Sequence, residues 1–385
     1  VMNPLRIARR LTVWQWIFGV VLLGGLYATY LRFVQGLGSA THLSNQFPWG
    51  LWIGFDVLCG VGLAAGGFTL AAIVHIFNIE RYKPILRATI LTAFLGYLLV
   101  IVALLFDLGR PYRIWHALVM WNPHSVMFEV AWCVMLYTLV LALEFAPTVF
   151  ERFRWQAPLR WLRAVSIPLV IAGVILSTLH QSSLGSLYLI VPNKLYPLWY
   201  TPLLPFFFFL SAMCVGFAMT IFESWHSSRA FGRQLEVPLL ASMARVLAVL
   251  LSSYLLLRFV DLRHRGVLDL VVVPRIETWL FWLEIALMFI PALLLFRRAV
   301  RLNPGALYAC AVMVLFGFVA NRLNVSITGM EAGSGTSYLP KWTEVMVTLA
   351  IIATGFAIFR FTAKYFPVFP EQAPRAALAP AAGDD

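Results

Sequence analysis

The chain has 385 residues, of which 61% are hydrophobic and only 12% are charged. An average soluble protein carries about twice that share of charge, so the composition excludes a soluble globular enzyme and a disordered protein. Lys and Arg outnumber Asp and Glu by 29 to 17, which gives a net charge of +12. A basic excess suits nucleic acid or an anionic membrane. Its placement around apolar runs indicates a membrane protein that binds no nucleic acid.

Ten apolar runs are long enough to cross a bilayer, which takes about 20 mostly apolar residues. They cover residues 12–34, 50–78, 88–107, 126–147, 164–190, 205–225, 237–261, 279–297, 306–323 and 343–363. The sequence therefore predicts an all-α integral membrane protein with about ten transmembrane helices within residues 1–369. The first run follows Arg6, Arg9 and Arg10 and lacks a small-residue cleavage site, so we expect a retained anchor. The segment 370–385 has little to bury, which predicts a disordered cytoplasmic tail.

The basic residues between the runs predict the orientation. With the N-terminus in the cytoplasm, the inside connections carry clusters such as Arg160 with Arg163 and Arg297 with Arg298. Cytoplasmic connections are enriched in Lys and Arg, so we expect the bacterial inner (cytoplasmic) membrane with both termini in the cytoplasm. The outside connections are longer and rich in Pro, Gly and Trp. They suit either a landing surface for a partner or plain connectors.

Ionisable residues inside the runs are candidates for function, because a charge at the bilayer centre costs at least about 2.5 kcal/mol. Asp56, Asp107, Glu129 and His180 fall in the second to fifth runs, each toward the outer half, and Arg110 follows Asp107. We expect these groups to converge on a polar ligand head in an apolar cleft. The stretch 181–186 (QSSLGS) is expected to break the fifth helix early and to lift His180 toward the outer surface.

A second polar set lies toward the inner face and comprises His75, Glu144 and Glu223. Together with the outer set it suits a transmembrane proton path. The glutamates lie within a turn or two of the cytoplasmic end, so interfacial or structural roles remain open.

Metal and haem binding are not expected from the residue spacing. The four Cys are far apart and no CxxC or CxxCH motif is present, which argues against an iron–sulfur cluster or a covalent haem in this chain. Intramembrane b-haem needs two facing His. Only His75 and His180 fall within the runs, at opposite ends, so such a haem is not expected.

Several stretches resemble the polysulfide-reductase membrane subunits, the NrfD-like family. Within that family the similarity is greatest to the ten-helix subunits of hydrogenase-2 type and of sulfur metabolism. The matching stretches are 36–71 (with FPWGLWIGFD and AAGG), 106–116 (FDLGRPYRIWH), 122–133, 143–153, 177–188 (STLHQSSLGSLY), 197–200 and 221–224. The similarity is strong through the sixth run and weaker beyond it.

The resemblance implies a subunit that binds a quinone, menaquinone or ubiquinone, and holds no redox cofactor of its own. It implies a quinone-site bundle of helices 2–5 near the periplasmic face and a second four-helix bundle of helices 6–9, with flanking helices. It also implies a periplasmic iron–sulfur (ferredoxin-like) subunit and further catalytic subunits. Family quinone-site and proton-path positions fall on Glu129, His180 and Glu223.

The chemistry of the outer group agrees with a quinone site. His180 can donate a hydrogen bond to a carbonyl and Glu129 can exchange a proton, while Asp107 and Arg110 support them. Trp49 and other tryptophans at the mouth suit a flat ring, although each also suits the ordinary interfacial belt. A secondary transporter or a proton-translocating channel that uses the same acids is the alternative.

Overall fold

The computed structural model describes residues 12–369, and within them all regular structure is helical. Within this described range ten helices are long and apolar enough to cross a membrane, which confirms the predicted all-α class with about ten transmembrane helices. They are α1 Val13–Gln35, α2 Trp52–Ile76, α3 Glu80–Asp107, α4 Val126–Phe153, α5 Ser166–Ile190, α6 Leu204–Ala230, α7 Val237–His264, α8 Ile276–Leu294, α9 Pro304–Ser334 and α10 Trp342–Tyr365. The expectations for Arg6, Arg9, Arg10 and the tail 370–385 lie outside the described residues.

Short helices lie in the connections. They are Leu37–Ala40, Pro111–Arg113, His116–Val119, Gln156–Ala164, Pro192–Lys194, Leu268–Val271 and Arg298–Leu302. We call the end of the molecule where α1 stops the upper end, and the end where α10 stops the lower end. The upper end therefore carries the connections that follow α1, α3, α5, α7 and α9.

The spans pack as two four-helix groups with a flanking pair. Helices α2, α3, α4 and α5 each contact the next, and α5 returns to α2. Helices α6, α7, α8 and α9 make the same closed arrangement, and α6 joins the two groups through α2 and α5. Helix α1 packs along α10, and α10 packs against α3. Helix α10 thereby closes one side of the first group.

Helix α2 is irregular where it meets α6. It begins and ends in π-helical segments, Trp52–Val57 and Ala72–Ile76, and a turn at residues 64–65 interrupts it between them. At this turn the backbones nearly touch, because a Cβ atom on Gly66 would lie 3.0 Å from the carbonyl oxygen of Gly216. Small residues at both positions allow this approach, as they do between membrane helices generally.

Several helix boundaries differ from the sequence prediction. Helix α3 begins at Glu80, eight residues before the predicted start, and α9 continues through a π-helical segment to Ser334. The predicted break in α5 is wrong, because the helix continues through Ser186. Ser183 and Ser186 donate hydrogen bonds to the carbonyls of residues 179 and 182, one turn back, at 2.8 and 3.3 Å. The serines therefore satisfy their hydroxyls within the helix instead of ending it.

Candidate functional site

Asp56 is placed by the π-helical start of α2 and points toward α10. Its side chain is buried, with 6% exposed, and Oδ2 accepts a hydrogen bond of 2.7 Å from the Thr348 hydroxyl. Oδ1 has no hydrogen bond among the described residues, and Asp56 lines a groove that opens beside it. One oxygen of a buried carboxyl is thus available to a ligand.

That groove, which we call the Asp56 groove, has a volume of about 530 Å³ and lies between α2, α3, α6 and α10. Its lining includes Leu63, Leu95, Leu99, Met219, Ile352 and Phe356. At its upper end Asp56 is buried, whereas His226, Phe356 and Arg360 at its lower half are exposed. The groove is therefore closed above and open below on the face that meets lipid.

Asp107 ends α3 at the same side of the molecule. Its Oδ1 is buried without a hydrogen-bond partner among the described residues, and the charges of Arg32 and Glu344 act on it. The Arg32 guanidinium is 3% exposed and donates to the carbonyl oxygens of Phe106 and Leu108 at 2.5 and 2.6 Å. A cation from α1 thus caps α3 beside its terminal carboxylate.

A buried carboxylate at the start of α10 completes the upper end of this region. Glu344 accepts hydrogen bonds from the Tyr338 hydroxyl at 2.5 Å and from the backbone N–H groups of His42 and Lys341 at 3.1 and 2.8 Å. Burial, reinforced by the bond to Glu344, raises the pKa of the Tyr338 hydroxyl and keeps it neutral. The bond from His42 joins the connection before α2 to α10, whereas those from Tyr338 and Lys341 hold the connection before α10 against its first turn, so the group is a structural tie.

His180 lies in a different place, inside the α2–α5 group. Its side chain is fully buried and its Nδ1 lies 2.9 Å from the Tyr97 hydroxyl, whereas Nε2 has no partner among the described residues. Ser177 lies beside the hydroxyls of Tyr97 and Tyr137, and the two tyrosine rings meet edge to face at 4.7 Å. Gln181 donates to the Val61 carbonyl at 3.1 Å. We call these five side chains, Tyr97, Tyr137, Ser177, His180 and Gln181, the His180 cluster.

Glu129, Arg110 and Trp49 lie around the upper end. Glu129 is half-buried in the first turn of α4, and its charge acts on Cys133 one turn below. Arg110 is exposed in the connection after α3. The Trp49 indole is half-buried and meets the Tyr188 ring edge to face at 5.6 Å. No side-chain hydrogen bond joins Glu129 to His180 in the part of the chain that the structure describes.

The predicted inner set is divided between two cavities. His75 and Glu144 line a lower cavity of about 350 Å³, together with Thr148 and Arg163. Glu223 lines the Asp56 groove instead and accepts a short hydrogen bond from Ser227. A small void of about 10 Å³ between Gly67, Thr92 and Glu223, on the order of one water molecule, lies between this carboxyl and the first group.

The structure therefore brings the outer residues together in two sets rather than one. Asp56 and Asp107 face α1 and α10, whereas His180 faces α3 and α4, on the opposite side of α2 and α3. Along α3 the change of side takes a single residue, because Gly96 lines the groove and Tyr97 contacts His180. Helices α2 and α3 therefore separate the set of Asp56 and Asp107 from the set around His180.

Sequence reasoning missed the partners of these groups. Thr348 and Tyr97 lie in apolar runs and carry no charge, and Arg32 looked like an ordinary interfacial residue at the end of α1. One sequence feature could have indicated the partner of His180. Tyr97 and Tyr137 lie in the middle of apolar runs, where a buried hydroxyl needs a hydrogen-bond partner. The partner of Asp56 is 292 residues away in sequence, and nothing local marks it.

The histidines do not fit a pair of axial haem ligands. His75 lies one residue from the lower end of α2, whereas His180 lies above the middle of α5 with Nδ1 engaged by Tyr97. His226, one residue beyond the predicted run 205–225, falls inside α6, and its Nε2 lies 3.0 Å from the Tyr308 hydroxyl. Within residues 12–369 no group of three His, Cys, Asp or Glu side chains is arranged to hold a metal ion.

Comparison with known proteins gives consistent matches over most of the chain. The family model "Polysulphide reductase, NrfD" matches residues 39–332. The chain is 34% identical over 360 residues to a probable Ni/Fe-hydrogenase 2 b-type cytochrome subunit of Escherichia coli strain K12, with 92% of both chains covered. It is 31% identical over 385 residues to the integral membrane subunit of a menaquinone reductase of Nitratidesulfovibrio vulgaris, with 91% of this chain and 90% of the relative covered. It is 24% identical over 392 residues to the integral membrane subunit of an Hdr-like menaquinol oxidoreductase of Archaeoglobus fulgidus, with 93% of both covered.

Proposed function

Because this chain belongs to the NrfD family of membrane proteins, we propose that it is the quinone-reactive subunit of a multi-subunit respiratory oxidoreductase. Two of the relatives above carry menaquinone or menaquinol in their names and are integral membrane subunits of larger enzymes. Quinone, either menaquinone or ubiquinone, is then the substrate inside the membrane. Electrons pass between it and partner subunits outside the membrane.

The observation that carries this proposal is the Asp56 groove. A quinone is soluble only in lipid, so its site must be reached from the bilayer, and the groove is apolar and open on that face. At its closed end Asp56 offers a carboxyl with one oxygen free of hydrogen bonds among the described residues. Such a group can exchange a proton with a ring oxygen at the moment of reduction or oxidation.

The His180 cluster supplies a route for protons in the same proposal. Going down from His180, the polar side chains Tyr97, Ser177 and Tyr137 lie next to one another, and Glu144 follows on α4. Tyr137 and Glu144 are seven residues apart, about 10 Å along a helix, so water must complete the path. Glu144 opens into the lower cavity that also holds His75. Glu129 lies in the first turn of α4, at the upper end of the same helix.

The orientation and the partner belong to this proposal as well. With the lower end in the cytoplasm, the basic connections face inward and the upper end faces the periplasm of a bacterial inner membrane. Trp115, Trp121 and Leu339 are exposed on that upper end. An iron–sulfur subunit in the periplasm would dock there and exchange electrons with the quinone, and further catalytic subunits would bind beyond it.

Asp56→Ala and His180→Ala test the two sides of the proposal in the complex purified through this chain. We expect Asp56→Ala to reduce the quinone that co-purifies and to raise the KM for quinol at least tenfold, because the ring loses its hydrogen-bonding partner. We expect His180→Ala to retain quinone and to lower kcat. The measurements are quinones extracted per chain and steady-state quinol kinetics.

Glu129→Gln separates this arrangement from the single outer site expected from the sequence. If His180→Ala and Glu129→Gln both lose bound quinone while Asp56→Ala keeps it, the ring lies within the α2–α5 group. A wild-type complex that neither contains quinone nor turns over quinol would end the proposed function itself.

A transporter remains the second candidate because α2 is interrupted in mid-membrane, as the substrate-binding helices of secondary transporters are. The interruption at residues 64–65 is filled by the close contact between Gly66 and Gly216, and the void beside it holds about 10 Å³. That space suits no solute larger than water. Uptake of a polar solute by proteoliposomes that contain this chain alone would favour the transporter.

A further inference from the structure

The Asp56 groove is much longer than a quinone ring requires. Along α6 its lining runs from Met219 to Phe231, about 18 Å at the rise of an α-helix, and on α2 it continues upward to Asp56. Its lower limit, at Phe231 and Arg360, is where α6 and α10 reach the lower end. The groove thus extends from the upper half of the membrane to one membrane surface.

The exposure of the lining gives the groove a direction. Asp56, Leu95 and Val100 in its upper part are buried, whereas Ala230, Phe356 and Arg360 in its lower part are exposed. A ligand with a compact polar head and a long apolar tail fits such a shape in one orientation. The head occupies the closed end and the tail leaves through the open side.

Most side chains along the groove are aliphatic or aromatic, and several of its polar groups are already engaged. The Thr92 hydroxyl donates to the Ala88 carbonyl at 3.0 Å, Ser227 donates to Glu223, and His226 bonds to Tyr308. An apolar chain that lies along this lining displaces lipid from similar surface and leaves these bonds intact. Shape and apolar contact therefore decide what occupies the groove.

We infer that the Asp56 groove holds the isoprenoid tail of the quinone, which runs along α6 and α10 toward the lower end while the ring lies at Asp56. This inference rests on the proposed function. It assigns tail recognition to α6 and α10, which lie outside the α2–α5 group. A phospholipid acyl chain shares the same chemistry, and the experiment below distinguishes it.

The test fills the groove with Leu99→Trp and uses Leu98→Trp as the matched control. Leu99 lines the groove, whereas the adjacent Leu98 is 38% exposed on the outer face of α3. The complex is assayed with a long-tailed quinol and with a short-tailed analogue of the same ring. We expect Leu99→Trp to raise the KM for the long-tailed quinol at least tenfold and to leave that of the analogue within twofold, while Leu98→Trp changes neither.

Met219→Trp, on the α6 side of the groove, repeats the test if Leu99→Trp does not assemble. An unchanged KM for the long-tailed quinol in a filled variant overturns the inference. So does an equal loss with both quinols, which would place the ring itself along the groove. Mass spectrometry that shows a phospholipid lost from the filled variant, with kinetics unchanged, assigns the groove to lipid. Absence of turnover with either quinol in the wild-type complex is the separate failure of the proposed function.

Discussion

A histidine with one unpaired ring nitrogen is costly inside a membrane. His180 is fully buried, and only Nδ1 has a partner, the Tyr97 hydroxyl. A buried polar atom without a hydrogen bond costs about 1–3 kcal/mol. The core of the bilayer holds no water that could supply the missing hydrogen bond. Tyr137, Ser177 and Gln181 nearby each also carry an unpaired polar atom among the described residues. Such a concentration of unsatisfied groups is what a proton route or a hydrated site requires.

Tyr97→Phe tests the structural part of this arrangement. Loss of the hydroxyl leaves Nδ1 of His180 unpaired as well, so we expect a loss of about 1–3 kcal/mol in stability, read as a lower midpoint of thermal unfolding in detergent. Tyr30→Phe is the control, because Tyr30 is exposed on α1 and its hydroxyl makes no hydrogen bond among the described residues. Equal midpoints for Tyr97→Phe and wild type would mean that the bond contributes nothing.

The sequence identified the charged members of these sites but not their groupings. Asp56, Asp107 and His180 stand out because ionisable residues are rare in apolar runs. Which way each one points depends on helix rotation, and a π-helical segment such as Trp52–Val57 shifts that rotation in a way no hydropathy pattern reveals. The contact between Asp56 and Thr348 depends on α10 folding back against α2 and α3, so it was not predictable from local pattern.

At the scale of elements, the end of α3 depends on a neighbouring helix for its cap. The carbonyl oxygens of Phe106 and Leu108 accept hydrogen bonds from the Arg32 guanidinium on α1. The charge of Arg32 also acts on Asp107. A helix end leaves carbonyl groups without intrahelical donors, and a cation there also complements the helix dipole. Helix α1 is therefore fixed to the bundle by a polar contact at its upper end, although most of its surface faces lipid.

Arg32→Met should loosen that end of the molecule. Hydrogen bonds to a charged group contribute about 1.5–3 kcal/mol each, and removal of the cation also leaves the buried Asp107 without its counter-charge. We expect faster proteolysis of the connection that begins at Leu108 and a lower unfolding midpoint. The double variant Arg32→Met, Asp107→Asn should recover part of the loss, and no recovery would show that Asp107 does not depend on Arg32.

The contact between α2 and α6 is the other element-scale feature that fixes the site. A Cβ on Gly216 would lie 2.9 Å from the backbone nitrogen of Gly66, so any larger residue forces the two four-helix groups apart. Overpacking typically costs about 1–3 kcal/mol, and here the obstacle is backbone that cannot rotate away.

Gly216→Val should therefore lower the yield of assembled protein and its unfolding midpoint. Gly19→Val serves as the control, because a Cβ on Gly19 of α1 would have nothing within 4 Å. The measurement is size-exclusion yield together with thermal unfolding in the same detergent. Equal yields from both variants would mean that the α2–α6 contact tolerates expansion.

Over the whole molecule, hydropathy alone predicted the number of helices and most of their limits. Length and apolar content suffice for that because every backbone group in lipid must be satisfied within a helix. The start of α3 was predicted too late because Arg81, Lys83 and Arg87 are charged and were assigned to the connection before it. The helix in fact includes all three residues. The pairing of α1 with α10 could not be predicted, because neither run has an amphipathic pattern that marks one face for a neighbouring helix.

Introduced cysteines test the orientation of the whole molecule. The four native cysteines are buried, so background labelling is low. Asp269 at the upper end and Arg298 at the lower end are both exposed. We expect a membrane-impermeant maleimide to label Asp269→Cys from the periplasmic side of intact spheroplasts and to label Arg298→Cys only after the membrane is opened. The reverse pattern would invert the proposed orientation.

The bond between Thr348 and Asp56 has a consequence for biosynthesis. The two residues are 292 positions apart, so α3 to α9 are all synthesised before the Asp56 carboxyl acquires its partner. Until then the side of α2 and α3 that carries Asp56 and Asp107 is not covered by α10, and this flank faces the insertion machinery and the surrounding lipid. Helix α10 therefore covers this flank, and a nascent chain arrested before α10 would leave it exposed to quality-control proteases.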